Sequence, residues 1–122
     1  MSDLRNIALT IEAEACLEDL KRVLAVDDQM ALIRLGFAYA IETGLSPERD
    51  RETGTSGGAN YVSANLDDEG LMAFIVQEAH PVHAAEPYRA VQVLMSKGLR
   101  RLALDVSQSK IGSISDLFTH NT

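Results

Sequence analysis

Two histidines and two carboxylates, Glu78, His80, His83 and Glu86, fall within nine residues. Such donors can ligate an ion of the zinc type. Pro81 breaks any helix between the histidines, however, and no H-E-x-x-H spacing is present, so the segment reads as a polar turn between two helices. Gly54-Thr55-Ser56-Gly57-Gly58 has the glycines of a phosphate cradle but not the lysine of a P-loop. It also lacks the strand before and helix after that a dinucleotide site needs, so it reads as a flexible loop. Cys16 lies on the apolar stripe of a predicted helix with no histidine near it, the setting of a small buried hydrophobe rather than a nucleophile. Ser56 and Ser63 belong to no nucleophile–base–orienter set. No catalytic residue, metal ligand or cofactor is expected, and the chain does not read as an enzyme.

The whole chain sets the same bounds. Its 122 residues fit one domain able to bury roughly two-thirds of its unfolded surface. A single cysteine excludes an internal disulfide, the start lacks a secretory pattern, and no apolar run reaches membrane-spanning length; the cytoplasm is the expected compartment. With 11 Lys and Arg against 18 Asp and Glu, the net charge is −7. That field repels phosphate, so nucleic acid can be held only where the basic residues gather. Aromatic residues make up 5%, with no Trp, which disfavours a row of base-stacking rings.

The elements follow from periodicity. Residues 4–11 alternate, with Ile7, Leu9 and Ile11 on one side and Asn6, Ala8 and Thr10 on the other, which predicts a short strand. Being the only strand in view, it would pair with another copy of the chain or stay exposed. Residues 12–25 take a helical period, with Ala13, Cys16, Leu17, Leu20 and Leu24 as the stripe. Asp27 is the expected N-cap of a helix over 28–43, with Ala31, Ile33, Leu35, Ala38 and Ile41 as its stripe and Phe37 beside it. So few polar residues interrupt Met30–Ile41 that the helix belongs in a core or an oligomer interface; Leu35, Phe37 and Ile41 are the expected interface residues. Residues 44–66 read as a long mobile loop, with 53–59 the most disorder-prone part. A third helix is expected over 67–79 and a fourth from Glu86-Pro87, with Val91, Leu94, Met95, Leu99 and Leu102 as its stripe. The expected fold is mainly α, a short N-terminal strand and four principal helices in an oligomeric helical bundle. One domain covers 1–104, and 105–122 is a tail in which Ser113–Phe118 could form a short helix.

A strand followed by two helices is also the order of ribbon-helix-helix DNA-binding dimers, in which Asn6, Ala8 and Thr10 would face bases. Against this, Asp27 and Asp28 occupy the helix terminus that would meet a phosphate. The basic residues form two groups, Lys21-Arg22 with Arg34, and Lys97 with Arg100-Arg101. No acid lies between Pro87 and Leu104, so Lys97, Arg100 and Arg101 are the expected main DNA contact, with Lys21 and Arg22 assisting.

Three segments carry a likeness to a known family: Leu9-Thr10 with a helix ending Leu20-Lys21-Arg22; Arg34-Leu35-Gly36-Phe37-Ala38-Tyr39-Ala40-Ile41; and Tyr88 through Lys97-Gly98-Leu99. Over roughly residues 4–102 the chain resembles the DndE family, the small component of bacterial DNA sulfur-modification (phosphorothioation) systems. It departs from that family in lacking a Trp-bearing segment within 44–66 and in its extra tail, 105–122. The resemblance implies a helical homo-oligomer without a catalytic centre, binding double-stranded and preferably nicked DNA beside partner enzymes. It also implicates lysines in DNA contact, which here fall on Lys21 and Lys97. The readings that compete with it are an oligomeric protein–protein adaptor that binds no DNA, and a ribbon-helix-helix transcription regulator.

Overall fold

The computed structural model describes residues 3–108. In chain order the elements are β1 (Asn6–Ala8), α1 (Ile11–Val23), α2 (Gln29–Glu42), β2 (Asn60–Val62), α3 (Ser63–Leu66), α4 (Leu71–Ala79), a 3-10 turn (Pro81–His83) and α5 (Pro87–Ser107). The fold is mainly helical, and the four longer helices are those the periodicity predicts. Among the described residues no helix is long and apolar enough to cross a membrane.

Local chemistry sets the boundaries. The Thr10 hydroxyl caps α1 by accepting from the Ala13 amide and donates to the Thr53 carbonyl. Asp28, not Asp27, caps α2 by accepting from the Ala31 amide. The predicted third helix divides at Asp67, which ends α3. Its carboxylate accepts from the Met72 and Ala73 amides and so caps α4 across Gly70, whose φ of +70° turns the chain.

β1 finds its partner within the chain. It pairs antiparallel with β2 in the register Asn6↔Val62, Ile7↔Tyr61 and Ala8↔Asn60. Its other edge is covered by α5, where Gln92 accepts from the Ala8 amide and the Ser96 hydroxyl from the Thr10 amide. The expected pairing with a second copy is therefore corrected: β1 has no free edge for an intermolecular ribbon. Of the residues a ribbon-helix-helix dimer would turn to the bases, Thr10 is buried, Ala8 half-buried and Asn6 exposed.

Residues 44–66 are not the predicted loose loop. They hold β2 and α3, and Leu45, Thr53 and Leu66 are buried. The glycine-rich part is tied to the start of α1: Ile11 donates to the Thr55 carbonyl, Gly58 to the Leu9 carbonyl, and the Thr55 and Ala59 amides to Glu12 and Glu14. The domain also runs past residue 104. α5 continues to Ser107, and the Tyr39 hydroxyl donates to the buried Asp105 carboxylate. Ser113–Phe118 lies outside the described residues.

The core is built around α5, whose predicted stripe is buried throughout. α2 crosses it at Gly36 and Gly98. A Cβ on Gly98 would lie 1.7 Å from the Gly36 carbonyl oxygen, so the two backbones meet where no side chain fits. On α2 the inward residues are Leu32, Ile33, Gly36, Phe37, Tyr39 and Ala40. Ala31 and Ala38 are exposed, while Leu35 and Ile41 are half-buried, so most of the predicted stripe is the outer face of this helix. Phe37 is a core residue rather than an interface residue.

Candidate functional site

Lys97, the expected centre of the DNA contact, is withdrawn from solvent. Its side chain is 1% exposed. The ammonium donates to the Ser46 carbonyl at 2.8 Å, the Glu48 carbonyl at 2.6 Å and the Asp50 carboxylate at 2.8 Å. All three donors of the ammonium are used, which is what makes burial of the charge tolerable. Lys97 thus fastens residues 46–50 to α5, and the expectation of a surface contact there is corrected. The same hydrogen bond holds the Asp50 carboxyl below its ordinary pKa.

Of the other expected contact residues, Arg100 and Arg101 line one groove and Arg22 the cavity adjoining it, while Lys21 lines neither. α1 and α5 border an open groove of about 590 Å³ lined by Cys16, Asp19 and Glu52 together with Arg100 and Arg101, with the buried Lys97 at its floor. It continues past Arg22 and Val23 toward Val106. Two basic segments far apart in sequence therefore border adjoining cavities, with Asp19 common to both. Arg100 donates to the Arg51 and Glu52 carbonyls at 3.1 and 2.8 Å, and among the described residues no carboxylate pairs with its guanidinium. Arg101 lies 3.7 Å from Glu52, Arg22 lies 3.3 Å from Asp19, and Lys21 lies 3.7 Å from Glu18. In each of these pairs the acid is well exposed, and pairs of that kind contribute about 0–1 kcal/mol.

The remaining candidates are each held by contacts of their own. His83 bonds Glu48 at 2.8 Å and Glu86 pairs with Arg89 at 2.9 Å, so the predicted polar turn is held by separate local contacts. Among the described residues no group of three or more His, Cys, Asp or Glu could hold a metal. Burial raises the pKa of the Cys16 thiol, which disfavours the thiolate a nucleophile needs. In the glycine-rich stretch the Thr55 amide donates to Glu12 and the Gly58 amide to the Leu9 carbonyl.

Two features escape a reading of residue types. The Lys97 fastening is one, although its neighbours Met95, Ser96, Gly98 and Leu99 are all buried, and a cation set in such a run was the available signal. The second is an apolar surface on α4, where Leu71 and Phe74 are 59% and 56% exposed. Helical spacing places Leu71 with Met72, Ile75 and Val76 on one apolar face, and Phe74 lies beside it. Compared with known families, curated proteins and solved structures, the chain has no match in any of the three.

Proposed function

We propose that this chain is a non-catalytic DNA-binding component of a bacterial DNA modification system of the phosphorothioation type, or of a related defence system, working beside partner enzymes. The observation that carries the reading is that Arg100 and Arg101 line one groove and Arg22 the cavity adjoining it, the two sharing Asp19, Ala103 and Ser107. A net charge of −7 confines phosphate contact to such a place. Arginine suits it, because the planar guanidinium can grip a phosphate through two hydrogen bonds. Exchanging an exposed carboxylate partner for a phosphate costs little. The likeness to the DndE family supports the placement beside partner enzymes. The test is binding of the full chain to intact and nicked duplex across a salt series. A log–log slope of roughly 0.9 per phosphate contact is expected. Absence of salt-dependent binding would favour the second reading, a protein–protein adaptor, which the exposed apolar residues of α4 recommend.

A further inference from the structure

We propose that the outer face of α2 and α4 is a docking surface for a basic amphipathic helix of another protein. Leu71 and Phe74 project one turn apart on α4, and helical spacing sets Ile75 and Glu78 on the same side. Between α4 and α2 runs a groove of about 330 Å³ whose apolar lining includes Ala38, Leu66, Met72 and Ile75. A groove beside protruding apolar side chains receives the i, i+3, i+4 anchors of a helix.

Charge selects the occupant. Asp68 and Glu69 lie just before α4 and Glu78 near its end, all exposed. Among the described residues none of the three forms an ion pair, so no cation of the fold offsets their charge. The cation at the groove, Arg34, gives its guanidinium to the Leu66 and Asn65 carbonyls. A partner helix carrying lysines or arginines beside its apolar stripe would rest their stems on Leu71 and Phe74 and reach the carboxylates with their heads. A second copy of the chain, docked about a two-fold axis, would bring the same carboxylates together. The surface shares no residue with the arginine groove, so this inference and the DNA reading stand or fall separately.

The experiment measures fluorescence anisotropy of a labelled amphipathic leucine–lysine peptide with the full chain, beside the same peptide with glutamate for lysine. The lysine peptide should bind and the glutamate peptide should not. Phe74→Ala and Asp68→Lys/Glu69→Lys should each weaken binding roughly tenfold or more. Glu18→Lys/Asp19→Lys, which changes net charge by the same amount on α1, should leave it unchanged. The proposal is overturned if the lysine peptide does not bind. It is equally overturned if the α1 variant weakens binding as much as the rim variant, since the attraction is then that of the whole acidic chain. Light scattering that shows a wild-type oligomer dissolved by Phe74→Ala, with peptide binding intact, would assign the surface to self-association instead.

Discussion

Along α5, the ammonium of Lys97 has three acceptors, the guanidinium of Arg100 two carbonyls, and Arg101 a carboxylate. Along α4, three exposed carboxylates flank two protruding apolar side chains and have no cation among the described residues. The first region uses charge inward, to hold residues 46–53 against the helix, and leaves only weak surface pairs facing out. The second leaves both charge and apolar area unmatched. Position therefore separates cations of one sequence run: Lys97 serves the fold, while Arg101, four residues on and half-exposed, remains available to a ligand. Unmatched surface of the second kind costs solubility and marks a place for a partner.

The largest effect should come at the crossing of α5 with α2 in the fold's core. Gly98→Ala places a methyl against the Gly36 carbonyl, a backbone atom that cannot step aside. We expect a loss of about 3 kcal/mol or more in urea unfolding, disturbing groove and face alike. Gly36→Ala should cost less, because its Cβ meets the Leu99 side chain.

Removing Lys97 should affect the first region alone. Lys97→Ala strands two carbonyls and a carboxylate, at a cost on the order of 2–3 kcal/mol. Proteolysis should then begin within residues 46–53 while α4 stays protected. Asp50 and Glu12 also link this region to pH. Lys97 lowers the Asp50 pKa, and the Thr55 amide lowers that of Glu12. A lowered folded pKa gives stability that is present above the ordinary carboxylate range and is lost as pH falls through the folded value. Thermal melts should thus weaken from about pH 5 downward, and less steeply in Glu12→Gln/Asp50→Asn.

The smallest effect is expected on α4. Phe74→Ser should change stability by no more than about 0.5 kcal/mol, because the ring is exposed. A much larger loss would show that the ring belongs to the fold and would remove the contrast between the regions.

Much of the helical frame was legible because burial follows period. Val91, Leu94, Met95, Leu99 and Leu102 are all in the core, as are Ile7 and Leu9 of the predicted strand, though Ile11 is exposed at the start of α1. What could not be read locally was partnership. Asn60-Tyr61-Val62 is too short, and too close to glycines, to announce a strand; only pairing with β1 makes it one. In α2, where apolar residues lie on nearly every side, period alone cannot tell which face turns inward. Of the predicted stripe only Ile33 is fully buried; Ala31 and Ala38 are exposed and Leu35 and Ile41 half-buried, because the Gly36–Gly98 crossing turns Leu32, Ile33, Phe37 and Ala40 to the core. Lys97 was misplaced because lysine ordinarily marks surface, and its acceptors lie about fifty residues away in sequence. Arg22, Arg100 and Arg101 were identified by charge density, but only the parallel run of α1 beside α5 brings them to one groove and the cavity adjoining it.

The central claim is tested most directly by measuring duplex-DNA affinity against salt for wild type, Arg22→Glu/Arg100→Glu/Arg101→Glu and Phe74→Ala side by side. The account predicts that the triple variant loses binding and its salt slope while Phe74→Ala keeps both, with helical circular dichroism unchanged in each. Equal affinity and slope in all three proteins would contradict it, since the arginine groove would then be solvated surface and any DNA contact would lie elsewhere.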